Sequence, residues 1–407
     1  MIMLEETLYL FNPWWTGEYK PPGIKREEYL SEIEKSFRIQ RIVILFGLRR
    51  VGKTTIMKQF AAVNIPKFEP QRVFFASMDH PEIQNVSILD LLREFRRINR
   101  IKRNEPVLLL LDEVHYRKGF EQELKALQDT EDRVWVIASG SSSLVVRHRS
   151  AAMTGRYKKI QVKPISFIEY LTFTGEKYDI SQPYLMEGFL EDYLLTGGMP
   201  QYVLTHDPNV LIDLVDDIIY KDISAHYGVR DPKLLRELFF LLMERAGKPL
   251  TYSRIGRIIG VGVDAAKRYV GYFEETFLIH LVEKYGTPNV RKVAPKKCYS
   301  PDTGIKVVSA GKGSIGSLAE NLVYLLIKDR GDVYYYNDAN REVDFIVDNM
   351  AIEVKYMDEF QHRDIEALRG VKLRKVLNKL VITRRDVSRM QDVNSISLWR
   401  FASRIGK

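Results

Sequence analysis

Cysteine is almost absent from this sequence: Cys298 is the single one in 407 residues, and the seven histidines are scattered. One thiol cannot build a disulfide framework, and no Cys/His spacing resembles a zinc site, so any metal is expected to be held by oxygen ligands. Long apolar runs are missing too. No stretch approaches the roughly 18 residues that a bilayer span requires. LYLFNPWW near the start lacks the cationic lead and cleavage site of a secretion signal. The expectation is a soluble cytoplasmic protein that does not engage a membrane. No internal repeat or low-complexity segment is evident, and charged residues, at 28%, are too near the average to indicate a hot habitat.

What is present is an apolar fraction of 45%, enough for folded domains throughout, and a length that points to about two or three of them. The formal net charge of +9 fits a polyanion partner without requiring one. Residues 1–36 form an aromatic and proline-rich lead followed by an amphipathic helix around REEYLSEIEKS. Its Trp14 and Trp15 either face an adenine ring or, as paired tryptophans beside a proline more often do, seal a core edge.

Residues 37–163 read as alternating strands and helices: RIVILF, a glycine-rich turn, TTIMKQFAAV, RVFFASM, a helix, VLLLLDEV and VWVIAS. Unbroken apolar strands separated by helices indicate an α/β fold, a parallel sheet covered on both faces. GLRRVGKT, Gly47 to Thr54, satisfies GxxxxGK(S/T) between a strand and a helix. In such a P-loop the turn formed by Gly47, Arg49, Arg50, Val51 and Gly52 wraps its amides around phosphate. Lys53 reaches the β and γ oxygens, Thr54 offers its hydroxyl to Mg2+, and Thr55 follows on the helix. LLLLDE then delivers Asp112 to the magnesium shell and Glu113 to an attacking water. After VWVIAS, either Ser139 or Ser141 is placed to sense the γ-phosphate, with Ser141 the nucleotide-site candidate and a plain turn the competing reading. Arg156 in MTGRYKK is a candidate arginine finger, in cis or from a neighbouring subunit.

GLRRVGKTT, LLLLDEVH, IASGSSS, TGRYKKIQVKPISFIEYL and LLTGGMPQYV, in that order, resemble the archaeal and bacterial ATPases of the AAA-type family that carry an uncharacterised C-terminal extension. That resemblance implies ATP and Mg2+ at the P-loop. It also implies a helical lid over residues 164–236, a winged helix over 237–300 and a nuclease-like α/β domain over 301–407.

TYSRIGRIIGVGVDAAKRYVGYFEETFLI, 251–279, reads as helix, glycine turn, helix, with Ile255, Ile258 and Ile259 forming one apolar face and Ala265, Tyr269, Tyr272 and Phe273 continuing a stripe on the second helix. LVEKYG and KKCYS are the candidate wing strands. Lys267 and Arg268 on the second helix, with Lys296 and Lys297 near a wing, are the DNA-binding candidates, although Asp264 opposes phosphate and such modules also contact proteins. LREFRRINRIKR, 92–103, is a further basic stretch, readable as a solvated helix face.

VDFIV and AIEVKY are joined by Asp348 and Asn349. A tight hairpin there sets Val347 against Met350 and Asp344 opposite Glu353, with Lys355 on the same face. Two carboxylates about 5 Å apart repel unless a cation or proton lies between them. The arrangement resembles the PD-(D/E)xK nuclease fold. Glu320 matches its helix acid, Asp344 its central aspartate, and Glu353 and Lys355 its ExK pair, while Val343 stands where the motif has proline. The resemblance implies a second Mg2+ or Mn2+ held by Glu320, Asp344 and Glu353, and cleavage with Lys355. A salt-bridged surface cluster of Glu342, Asp344, Glu353 and Lys355 is the plainer reading. Two functions therefore stand: an ATPase whose nucleotide state controls modules that bind, remodel or cleave DNA, or a nucleotide-gated switch for a protein partner, either as monomer or homo-oligomer.

Overall fold

The computed structural model describes residues 2–141, 157–338, 341–357, 365–371, 373, 376–387 and 393–405. The chain divides into two compact units, Met1–Lys163 and Pro164–Lys407.

In the first unit β1 (Ile42–Gly47), β2 (Val73–Ser77), β3 (Val107–Asp112), β4 (Val134–Ser141) and β5 (Lys158–Gln161) form one sheet in the order β2-β3-β4-β1-β5. Every pairing is parallel. The apolar runs of β1 to β4 suit strands buried on both faces, and all six residues of β3 are buried. β5 has no such run. Lys158 and Lys159 are exposed along this edge strand, where a charged side chain deters further pairing. Helix Ile88–Asn99 buries Ile88, Leu91, Leu92 and Phe95, the spacing of one helical face. Its arginines pair with acids: Arg93 with Asp90, Arg96 with Glu131, Arg97 with Glu5 and Glu94. This stretch is a salt-bridged helix face.

Trp14 and Trp15 are buried, and both indole N–H groups donate to the carbonyl of Val73, at 2.8 and 2.9 Å. Trp15 also stacks on Phe74 and Phe95. They seal the edge of the sheet, which leaves neither ring face for adenine.

In the second unit the eight strands β6 (Pro249–Leu250), β7 (His280–Lys284), β8 (Lys296–Tyr299), β9 (Val333–Asp338), β10 (Arg341–Val347), β11 (Met350–Lys355), β12 (Asn378–Thr383) and β13 (Asn394–Ser397) form one sheet, ordered β13-β12-β11-β10-β9-β7-β8-β6. The two strands expected as wings, β7 and β8, pair antiparallel, and β7 also pairs parallel with β9. They thereby extend the C-terminal sheet. Helices Phe167–Thr174 and Pro183–Thr196, expected to fold as a lid, bury Phe167, Tyr170, Leu190 and Leu194 in one core with Tyr299, Phe345, Ile352 and Trp399. A Ser166/Glu169 capping box fixes the start of the first of these helices.

Helix Tyr252–Ile259 starts at the Thr251 N-cap and stops at Gly260, which is left-handed, before helix Val263–Glu275. Ile255 is buried, but Ile258 is 53% exposed, and the buried stripe of the second helix is Ala266, Val270 and Phe273. Phe273 is buried as expected, whereas Ala265 and Tyr269 are one residue out of phase with the buried stripe, a rotation of about 100°.

Candidate functional site

The P-loop is built where β1 leaves the sheet. A Cβ on Gly47 would lie 2.1 Å from the carbonyl oxygen of Val162, so only glycine lets this strand end pass its neighbour. Gly52, at φ 97°, adopts a backbone conformation that other residues rarely take. Lys53 opens helix Lys53–Phe68. It is 5% exposed, and its ammonium donates to the carbonyls of Gly47 and Leu48 at 3.2 and 3.1 Å. Behind the loop, buried Arg26 donates to the carbonyls of Val51, at 3.2 Å, and Lys163, at 3.0 Å. Arg26 stands in a lead segment without a motif, so nothing in the sequence marks it.

Asp112 ends β3 beside this loop and receives the Thr54 hydroxyl at 2.6 Å on one oxygen and the Ser139 hydroxyl on the other. Ser139 in turn accepts the backbone N–H of Glu113 at 3.1 Å. A hydrogen-bonded chain therefore links Thr54, Asp112, Ser139 and Glu113, and Ser139 is the serine that the sheet brings to the acids. The side chain of Ser141 and the whole of Arg156 lie outside the described residues. Burial, then the neighbouring Glu113 charge, raises the Asp112 pKa against the hydrogen bonds from Ser139 and Thr54.

Glu113 has a left-handed backbone, φ 51°, and its carboxylate lies 3.0 Å from Nδ1 of His115. Burial opposes its charge, but the His115 hydrogen bond, Lys53 and Arg49 outweigh burial and hold its pKa down to about 2. His115 is the partner that the reading of LLLLDEVH did not assign. Magnesium suits this site: a hydroxyl and a carboxylate oxygen converge within hydrogen-bond distance, and both are hard oxygen ligands.

The hairpin of the second unit has the expected register, with Val347 opposite Met350 and Phe345 opposite Ile352. Between Val343 and Ile346 the pairing of β10 with β9 shifts, so Asp344 sits in a β-bulge, a device that re-aims side chains. Asp344 Oδ2 accepts the Val354 N–H at 2.9 Å, and Glu353 Oε2 accepts the Asp344 N–H at 3.3 Å. Lys355 pairs with Glu353 Oε1 at 2.6 Å. Glu320, on helix Ile315–Ile327, accepts the Tyr299 hydroxyl at 2.6 Å. The structure thus gathers Glu320, Asp344, Glu353 and Lys355 around one end of the hairpin.

Lys297 completes this cluster, which corrects its expected place on a DNA-facing wing. It is 2% exposed, and its ammonium lies 2.9 Å from Glu342, 3.5 Å from Glu320 and 3.8 Å from Asp344. Burial opposes that charge, but Glu320, Asp344 and Glu342 together raise its pKa and keep it protonated. Burial, and for Glu320 and Glu353 also the Asp344 charge, raises the pKa of all three carboxylates expected to hold metal. Among the described residues, no group of three His, Cys, Asp or Glu side chains is arranged to hold a metal ion. As arranged, the residues do not fit the expected second metal, because Lys297 and Lys355 engage oxygens of Glu320, Asp344 and Glu353 that would have to ligate it.

Of the other DNA-binding candidates, Lys267 and Arg268 are exposed on helix Val263–Glu275, beside exposed Asp264. Lys296 pairs with Glu283 at 2.7 Å. Among the described residues, no helix is long and apolar enough to cross a membrane.

Residues 39–171 match the family model described as an AAA domain, and residues 188–314 match one described as a domain of unknown function, DUF8612. The chain is similar to an uncharacterized protein of Methanocaldococcus jannaschii, 25% identical over 395 residues, covering 86% of this chain and 82% of that one. It is also similar to an uncharacterized protein of Haemophilus influenzae, 24% identical over 352 residues, covering 82% of this chain and 86% of that one. Among solved structures, a Walker-type ATPase of Pyrococcus abyssi aligns over 73% of this chain and 99% of its own at 13% identity, with a TM-score of 0.46. The family match falls on the segment that carries the P-loop, Asp112 and Glu113. Residues 39–171 are thus similar to an AAA domain.

Proposed function

We propose that this protein binds ATP with Mg2+ and hydrolyses it. The observation that carries this reading is the hydrogen-bonded chain from Thr54 through Asp112 and Ser139 to Glu113, set beside the P-loop lysine. In this reading Lys53 leaves the loop carbonyls for the β and γ phosphates, and the loop amides and helix start hold the phosphate charge. Thr54 and Asp112 hold Mg2+, which when bound neutralises charge on the phosphates. Glu113 is ionised at neutral pH, and its weak basicity suits it to orienting the water through a hydrogen bond. The water oxygen bonds to the γ-phosphorus as the bond to the β,γ-bridging oxygen breaks, releasing ADP and phosphate. Ser139 and His115 position Asp112 and Glu113.

The second unit supplies what the nucleotide state controls. Exposed Lys267 and Arg268 support DNA as its partner, through phosphate contacts from the second helix of a helix-turn-helix. One observation favours a protein partner instead: on the same helix pair Ile258 is 53% and Val263 51% exposed, apolar surface that DNA phosphates do not need. Titration with a fluorescent ATP analogue, wild type against Lys53→Ala, tests the nucleotide reading. Saturable binding lost in the variant is expected, and equal binding by both would sink it. DNA affinity measured across salt concentrations then separates the partners, since released counterions give a slope that an apolar protein contact lacks.

A further inference from the structure

We infer that Lys297 is the resident cation of the C-terminal acid cluster: its ammonium stands between Glu320, Glu342 and Asp344 where a metal-dependent nuclease would hold its divalent ion. The pairing is built in by the fold. Lys297 comes from β8, locked between β6 and β7, and β7 is tied through β9 to the β10 strand that carries Glu342 and Asp344. Both side chains reach the ammonium, Glu342 at 2.9 Å and Asp344, re-aimed by the bulge, at 3.8 Å. The lysine stem is fully enclosed, with the ammonium 5.6 Å from the ring centre of Tyr335, so the charge cannot swing out into solvent without opening the core.

Seven of the eight carboxylate oxygens meet a partner, Glu342 Oε2 among them through the Asn337 amide at 3.4 Å. Glu320 Oε1 takes the Tyr299 hydroxyl and Lys297. Asp344 Oδ2 takes the Val354 N–H, while Oδ1 faces Lys297. Glu342 Oε1 takes Lys297. Glu353 gives Oε1 to Lys355 and Oε2 to the Asp344 N–H. A divalent ion needs several such oxygens turned inward at once, and here Lys297 faces one oxygen of Glu320 and one of Asp344 while Lys355 takes one of Glu353. Two lysines serve these acids instead. The cluster then ties the hairpin to β8 and to helix Ile315–Ile327, and the unit does not cleave DNA by a metal-dependent route.

The test uses the full chain without nucleotide, titrated with Mn2+ into the millimolar range, with free Mn2+ read by electron paramagnetic resonance. Wild type and Asp344→Asn are expected to bind Mn2+ alike, because Asp344 holds none. Lys297→Met, which keeps the stem and removes the charge, is expected to gain a site roughly tenfold or more tighter than any in the wild type. That gain should vanish when Asp344→Asn is added. A wild-type Mn2+ site lost in Asp344→Asn would overturn the inference, as would a folded Lys297→Met that gains none. Should Lys297→Met fail to fold, the comparison of wild type with Asp344→Asn decides alone. Neither residue lies in Met1–Lys163, so the result is separate from the fate of the ATP reading.

Discussion

Replacing Lys297 with methionine separates electrostatics from packing at the C-terminal cluster. Methionine fills the space of the stem, so the main loss is the ammonium that three carboxylates share. Glu342 is 48% exposed and can turn to water, but Glu320 and Asp344 are only 18% and 15% exposed and stay behind without the cation between them. Removing one partner from such a buried pair costs about 3 to 5 kcal/mol. The pH dependence follows from the carboxylates. Glu320 and Asp344 already have raised pKa values in the folded state, and losing Lys297 raises them further. A raised folded pKa contributes stability that is complete below the unfolded value of roughly 4 and lost as the pH rises through the folded value. The deficit of the variant is therefore largest near neutrality and shrinks on acidification. Because the chain has two units, one unfolding midpoint would mix them, so hydrogen exchange at the amides of β8, β10 and β11 is the assay. A loss at neutral pH below about 1 kcal/mol, the range of an exposed ion pair, would refute the reasoning. So would a loss that stays constant as the pH falls.

Asp302 caps helix Thr303–Ala310 and accepts the Gly198 N–H at 2.6 Å and the Ile305 N–H at 3.1 Å. Burial raises its pKa to about 6 against these hydrogen bonds. The second unit is thus expected to lose roughly 3 kcal/mol as the pH rises from the unfolded carboxylate value through about 6; unfolding across that range, compared with Asp302→Asn, which should flatten the dependence, checks it. His115→Ala removes the partner that holds Glu113 and is expected to lower kcat for ATP while leaving nucleotide affinity within about twofold, whereas an unchanged kcat would remove His115 from the site. Lys267→Ala and Arg268→Ala should each weaken DNA binding and reduce its salt slope by about 1. Unaltered slopes in both would favour the protein partner.

The P-loop unit was legible because its signals are local. Apolar runs predict buried strands whatever lies beside them, and GLRRVGKT fixes a backbone shape within a few residues. The register of Val347 against Met350 was legible for the same reason, since a two-residue turn leaves little choice. β5 was not, because an edge strand of KKIQ has no apolar run to reveal it. On helix Val263–Glu275 Phe273 was legible, but Ala266 and Val270 were not, because AAKRYVGYF offers apolar residues at adjacent phases and only tertiary packing selects among them. Lys297 illustrates the deepest limit. Next to Lys296 in KKCYS it reads as one of two surface cations, yet alternation along β8 sends its neighbour to Glu283 and Lys297 itself into the acid cluster. The acids come from residues far along the chain, so only the assembled sheet shows the pairing. The choice between Ser139 and Ser141 likewise turned on which one β4 places against Asp112.

Whether Lys53, Thr54, Asp112 and Glu113 form an ATP-hydrolysing site is decided by steady-state phosphate release from ATP by the purified full chain, with and without Mg2+. Expected are Mg2+-dependent turnover in the wild type, loss of turnover and of nucleotide binding in Lys53→Ala, and bound but unhydrolysed ATP in Glu113→Gln. Wild-type rates in Lys53→Ala, or turnover in Glu113→Gln equal to that of the wild type, would contradict it.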